Sequence, residues 1–170
     1  MKLRLAAIAV AIVALAGCSA AKGSGGGTPP VELPGAATTT PAAAFTPAPG
    51  RPIALAVKQT SLGATLTVDG LTVYRFESDT NKPPTSACSG KCLTSWPALL
   101  TDGTAVRVDP SIDSTTVGVL ARSDGSVQVT LNGWPLYRFA QDKAPGDVKG
   151  EGVQGKWSAV DGAAKPLKKK

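Results

Sequence analysis

The sequence predicts a mainly β protein in which two tandem β-meander repeats share one core, with at most short helical turns. Three observations predict it. The stretch Asp69–Asp79, DGLTVYRFESD, returns as Asn132–Asp142, NGWPLYRFAQD, with both tyrosines and both aspartates 63 residues apart. Each copy opens on an Asx-Gly pair, which supplies the positive φ that two-residue hairpin turns need, and continues into a short apolar run. Each half, at about 55–60 residues, is marginal as an independent fold, so the two are expected to close on each other.

Taken in order, the chain begins with an address. Met1–Arg4 is basic and Leu5–Ala16 is a run of twelve apolar residues, followed at once by Gly17 and Cys18. At about 1.5 Å per residue a helix of that run covers roughly 18 Å, short of a hydrocarbon core of about 30 Å, so residues 1–17 read as a signal peptide rather than a membrane span. Leu15-Ala16-Gly17-Cys18 resembles a bacterial lipobox. That resemblance implies cleavage before Cys18 and diacylglycerol on its sulfur, and more than one acyl chain makes anchoring stable.

Residues 18–50 read as the lipidated cysteine and its tether. Of the 32 residues from Ser19 to Gly50, 27 are Ala, Gly, Pro, Ser or Thr, too little apolar surface to offset the entropy of ordering. From Arg51 the composition changes. A single β domain is expected over 51–166, with repeat one at about 53–108, repeat two at about 115–162, and a basic tail at 167–170.

Leu66–Val68, Asp69-Gly70 and Leu71–Phe76 read as a hairpin. Val117–Arg122, Asp124-Gly125, Val127–Leu131, Asn132-Gly133 and Pro135–Phe139 read as a three-stranded meander. Within the motif strands Tyr and Phe lie two apart and share one face, whereas Leu71 and Val73, or Trp134 and Leu136, take the other. Both faces are apolar, so these strands belong inside a core. After the aspartates the halves diverge. The first passes through Pro83-Pro84 and Cys88–Cys92, with a short helical turn expected over Cys88–Ser95, to Trp96; the second passes through a Gly-rich loop, 144–152, to Trp157. Trp96 and Trp157 are expected to be equivalent core anchors, and Phe76 and Phe139 to have structural roles.

Composition excludes several chemistries. There is no histidine, and the single methionine is Met1, so Ser-His-Asp and Cys-His catalysis, imidazole zinc sites and His/Met haem or copper ligation are absent. No Ser, Asp and Lys stand at a spacing that assembles a nucleophile and base, and the reading is of a protein that is not an enzyme and carries no cofactor. Of the net charge of +6, Lys2 and Arg4 supply two and Lys168, Lys169 and Lys170 three, leaving the folded part near neutral. No internal basic stripe with interleaved aromatics appears, so nucleic acid is not an expected partner.

The candidate ligand-binding residues are Tyr74, Arg75 and Asp79 with Tyr137, Arg138 and Asp142. The tyrosines offer hydroxyls, the aspartates acceptors and the arginines donors. Each has an alternative structural use, since a buried tyrosine needs a hydroxyl partner and an aspartate after a strand commonly accepts N–H bonds from the following turn. Asp142, Asp147 and Glu151 among glycines could hold a cation such as calcium, but the dense Asp/Asn alternation of an EF-hand is missing. With Cys18 lipidated outside the cytoplasm, Cys88 and Cys92 are the only thiols left and are expected to pair. Their C-x3-C spacing, with no second ligand pair, fits a redox or metal site less well.

Together these residues resemble a family of secreted tandem-repeat lipoproteins marked by Y-x-[FWY]-x-x-D, which here stands as Tyr74–Asp79 and Tyr137–Asp142. The resemblance extends from about Ser61 to Val160 and includes C-x3-C before Trp96-Pro97, Gly133–Tyr137 and the Gly146–Gly152 loop. It implies a lipoprotein on the extracytoplasmic face of the cell membrane, of a family without assigned function. The leading expectation is a non-catalytic binding or structural module of the envelope, with a protein or polymer partner; the alternative is an accessory of extracytoplasmic redox or metal handling.

Overall fold

The computed structural model describes residues 52–168. The expected signal peptide, Cys18, the tether, and Lys169 and Lys170 lie outside the described residues. Among the described residues no helix is long and apolar enough to cross a membrane.

The first repeat opens with β1 (Ala54–Thr60) and β2 (Gly63–Val68), a hairpin paired from Leu55↔Val68 to Thr60↔Gly63. Asp69 and Gly70, with φ of 50° and 81°, turn the chain into β3 (Leu71–Thr72) on the free side of β2. Both values are positive, as a type I′ turn requires, and Asn132-Gly133 repeats them at 50° and 78°. A Cβ on Gly133 would also stand 2.2 Å from the Asn81 carbonyl oxygen, so glycine is fixed there twice over.

The motif strand read as continuous from Leu71 to Phe76 is divided. After Val73 it becomes β4 (Tyr74–Phe76), which leaves its own repeat. Two short strands, β5 (Thr80–Asn81) and β6 (Pro84–Thr85), then form a small hairpin, and α1 (Lys91–Ser95) supplies the helical turn. β7 (Leu100–Thr101) and β8 (Arg107–Val108) close the first half, β8 lying parallel to the start of β1. In the second half a 3-10 turn at Ser114–Thr116, capped by the Asp113 side chain, leads into β9 (Val117–Ala121), β10 (Val127–Leu131) and β11 (Trp134–Pro135). β12 (Trp157–Ala159) ends the repeat.

The partners of β4 and β12 show how the halves join. β12, from repeat two, pairs antiparallel with β4 of repeat one through Trp157↔Phe76, Ser158↔Arg75 and Ala159↔Tyr74. The matching segment of repeat one does the converse: Ala98 bridges Tyr137, Arg138 N–H donates to Pro97 O, and Ala140 N–H to Ser95 O. Each repeat therefore gives its closing segment to the other. Between them Tyr74 and Tyr137 exchange both backbone bonds, each N–H donating to the other's carbonyl at 2.9 Å, a hydrogen-bonded antiparallel pair on an approximate twofold axis. The division at Val73 follows from this change of partner: Val73 N–H still donates to Leu66 O in its own repeat, whereas its carbonyl accepts from Val160 N–H.

These strands separate two apolar layers, both built from both repeats. One is aliphatic, with Leu55, Leu66, Val68 and Val73 meeting Val129, Leu131, Leu136 and Val160. The other is aromatic and holds Tyr74, Trp96, Tyr137, Phe139 and Trp157, with Phe76 at its margin. Burial of each large side chain contributes about 1.5–3 kcal/mol, and neither layer is complete in one half. Cys88 and Cys92 are joined by a disulfide at a Cα–Cα distance of 5.4 Å, with Cys88 fully buried against the aromatic layer. Closing so short a loop is worth about 2 kcal/mol in the chain-entropy model. Replacing both cysteines by serine is expected to cost at least that in urea unfolding; no loss would show that the loop holds its shape unaided.

Candidate functional site

The two Tyr-x-Phe-x-x-Asp motifs come together, but crosswise. Tyr74 Oη donates to Asp142 Oδ2 at 2.6 Å, and Tyr137 Oη to Asp79 Oδ2 at 2.7 Å, so each hydroxyl reaches the carboxylate of the other repeat. The second carboxylate oxygens turn to the loops that follow: Asp79 Oδ1 accepts from Ala87 N–H at 2.7 Å, and Asp142 Oδ1 from Lys149 N–H at 3.0 Å. Both tyrosines are wholly buried and both aspartates nearly so. Each aspartate is positioned by a tight turn from its own strand, its N–H donating to the Phe76 or Phe139 carbonyl.

Around this lock stands a column of four rings. Phe76 stacks on Trp157 with centroids 4.4 Å apart, Trp157 on Trp96 at 3.8 Å with planes 2° apart, and Trp96 on Phe139 at 4.3 Å. Tyr74 meets Trp96 edge-on at 5.5 Å, and Tyr137 meets Trp157 edge-on at 5.1 Å. The two tryptophans are thus equivalent, and they meet each other at the axis. Gly150 completes the packing: a Cβ there would lie 2.8 Å from the Tyr74 ring and 2.9 Å from Trp96, and its N–H donates to Tyr74 Oη at 3.2 Å.

The arginines of the motif are not equivalent in use. Arg75 forks onto Glu77 through Nε and Nη2, donates Nη1 to Ala164 O at 3.2 Å, and lies 4.0 Å over the Trp134 ring. Arg138 is half-buried; burial lowers its pKa, while the charges of Asp69 and Asp142 favour its cation. A second arginine beside the lock, Arg122, has a side chain only 6 % exposed. It donates to Ser86 Oγ, to Gln128 Oε1 and to Cys88 O, and Ser86 Oγ is 2.7 Å from Tyr137 Oη. Sequence reasoning missed Arg122, Ser86 and Gln128. The available signal was a guanidinium ending the apolar run Val117–Ala121, where its charge needs buried partners.

The chemistry of this arrangement is that of a fastener. Burial, then the Asp142 carboxylate, push the Tyr74 hydroxyl well above the ordinary tyrosine range, and burial with Asp79 does the same for Tyr137. Both phenols remain proton donors at any physiological pH. The carboxylates of the Gly-rich loop face separate partners. Asp147 Oδ2 accepts from Lys143 and Ala144 N–H and from Lys149 Nζ, and Glu151 Oε2 from Ala159 N–H. Among the described residues no three Cys, Asp or Glu converge as a metal-binding group.

Burial also raises the Asp79 and Asp142 carboxyls above the ordinary value of 3.8, with the Ala87 amide, Tyr137 and Arg122 pulling Asp79 back, and Tyr74 with the Lys149 amide pulling Asp142 back. A carboxyl that titrates higher in the folded chain binds more protons folded than unfolded between the two values, so its contribution to stability falls as pH rises through that window. Glu77 and Asp147 shift the opposite way, downward, and cancel when two variants are compared. The stability advantage of wild type over Asp79→Asn is therefore expected to be larger near pH 4 than at pH 7 in urea unfolding; the reverse order would contradict the burial of this group.

A family model described as a secreted repeat of unknown function matches residues 56–100 and 118–161, one match on each half of the body. No curated protein and no solved structure matches the chain.

Proposed function

The chain belongs to that family of secreted repeats of unknown function, on the extracytoplasmic side, and from this premise we propose that it is a non-catalytic envelope module held to the membrane by diacylglycerol on Cys18. Residues 19–50 act as the tether, and the β body presents its surface to an envelope protein or polymer. The observation that supports this reading is the crossed lock: the residues that mark the repeat, Tyr74, Asp79, Tyr137 and Asp142, are spent on joining its two copies. Their hydroxyls and carboxylates satisfy each other inside the body, so recognition falls to the exposed strands and loops.

The test uses the full chain in cells fed a clickable fatty acid. Wild type is expected to take up label and to fractionate with membrane, and Cys18→Ser to lose both. An unlabelled wild type, or a Cys18→Ser chain that stays membrane-bound, would remove the anchor from this reading. Photo-crosslinking from exposed positions in the same cells then identifies what the body touches.

A further inference from the structure

The sheet edge formed by β9 carries an inference of its own. Among the described residues Val119 is the one large hydrophobic side chain that is exposed, at 60 %, and it stands in the middle of this strand. β9 pairs only with β10. The bonds from Asn132 N–H to Thr116 O and from Arg122 N–H to Ser126 O set the parity of the ladder, so Gly118 and Leu120 bond inward while the N–H and C=O groups of Val119 and Ala121 point out. The edge V-G-V-L-A has no charge, proline or bulge, the devices that ordinarily blunt an open strand.

Repeat one treats the same position differently. Val57, the counterpart of Val119 by hairpin register, is half-buried against the aliphatic layer, and β8 lies on the outer edge of β1 at Ala54↔Arg107 and Leu55↔Val108. The next residue of β1 is Lys58, a charge on the edge. In repeat two no described strand takes the place of β8. Instead a groove of about 320 Å³ runs beside β9, lined by Ala105, Val106, Val117 and Val119.

We propose that this edge binds the same edge of a second copy of the chain, antiparallel, with Val119 on the dyad. Self-pairing in that register sets Val119 against Val119, Val117 against Ala121, and Gly118 against Leu120. The outward groups of Val119 exchange both bonds with their counterparts, and Ala121 N–H meets the Val117 carbonyl. The Val117 N–H is already given to Ser114 O and is not needed. Leu120 falls opposite a glycine in both directions, Arg122 falls opposite Thr116, and no like charges meet. This self-complementarity is what selects a second copy over an unrelated extended chain, and it gives a closed, isologous pair. Edge pairing of this length buries less than the roughly 1,200 Å² of a standard stable interface, so the association is weak and reversible.

The experiment is mild oxidation of the full chain carrying Val119→Cys together with Cys18→Ser, which removes the one cysteine outside the Cys88–Cys92 disulfide. Residues facing each other in a hydrogen-bonded antiparallel pair have Cα atoms about 5.5 Å apart, within disulfide reach. A crosslinked product of twice the chain mass is expected when Val119→Cys is added to Cys18→Ser, and none from Cys18→Ser alone or with Lys58→Cys on the equivalent strand. Val119→Lys, at an exposed position that leaves the melting temperature unchanged, is expected to weaken self-association by at least about tenfold in sedimentation of the full chain, since it sets like charges face to face. A Val119→Cys chain that stays single or is captured by a protein of another mass, or a Val119→Lys chain that associates as wild type does, would overturn the proposal.

Discussion

Trp157→Ala is expected to lower the unfolding free energy of the body by about 3–5 kcal/mol, the range for a large aromatic lost from a packed core. The size follows from position. Trp157 is buried to 3 % exposure, stacks between Phe76 and Trp96, takes the Tyr137 ring on its edge, and lies in the closing strand that repeat two contributes to repeat one. Its removal empties the middle of the ring column and weakens the strand pairing at the same point. Against a total stability of about 5–15 kcal/mol for a domain of this size, that loss brings the chain close to unfolding at growth temperature. Trp96→Ala should cost a similar amount, and the double variant less than the sum, because both changes open the same void. Urea unfolding measures all three; a cost under about 1 kcal/mol for either tryptophan would mean that the column is ornamental.

The second large effect is the coupling across the lock. Asp79→Ala deprives Tyr137 Oη and Ala87 N–H of their acceptor and removes the carboxylate charge felt by the buried Arg122 guanidinium, which keeps only its ion pair to Asp124 at 3.5 Å; together these are expected to cost about 3 kcal/mol. Asp142→Ala is expected to cost less, since the lysine whose charge favours its carboxylate, Lys149, has an exposed side chain. A double-mutant cycle separates the crossed geometry from a local one. Tyr137→Phe with Asp79→Ala, and Tyr74→Phe with Asp142→Ala, should each show an interaction energy of about 1–3 kcal/mol. Tyr74→Phe with Asp79→Ala, residues of one motif, should show under about 0.5 kcal/mol. Equal coupling within and between the repeats would contradict the bonds described above.

Much of this body was legible in the chain. Asp69-Gly70 and Asn132-Gly133 announce their turns because few residues accept positive φ at both positions. Tyr/Phe against Leu/Val alternation announces two buried faces, and the similar distances from aspartate to tryptophan, 17 residues in one repeat and 15 in the other, announce the equivalence of Trp96 and Trp157. What the chain does not announce is which copy each residue serves. Tyr74 finds the same chemical partner, an aspartate, whether it turns to Asp79 or to Asp142, so residue types alone leave the choice open. The choice is made by the strand exchange, and that depends on how far the loops after each aspartate reach. Arg122 was missed for a related reason: its partners Ser86 and Cys88 stand 36 and 34 residues before it, in the other repeat, and Gln128 lies on the next strand.

The exchanged closing strands make the two copies depend on each other. One copy standing alone would hold a tyrosine, an aspartate and a strand edge whose counterparts exist only on another copy, so its smallest satisfied state is two identical molecules related by the same axis. With both copies in one chain, their pairing is guaranteed by covalent connection and does not depend on concentration. The joined halves differ in their loops, a disulfide in one and a glycine-rich arc in the other, but a change at the tyrosine, the aspartate or the tryptophan of either must be answered in its twin.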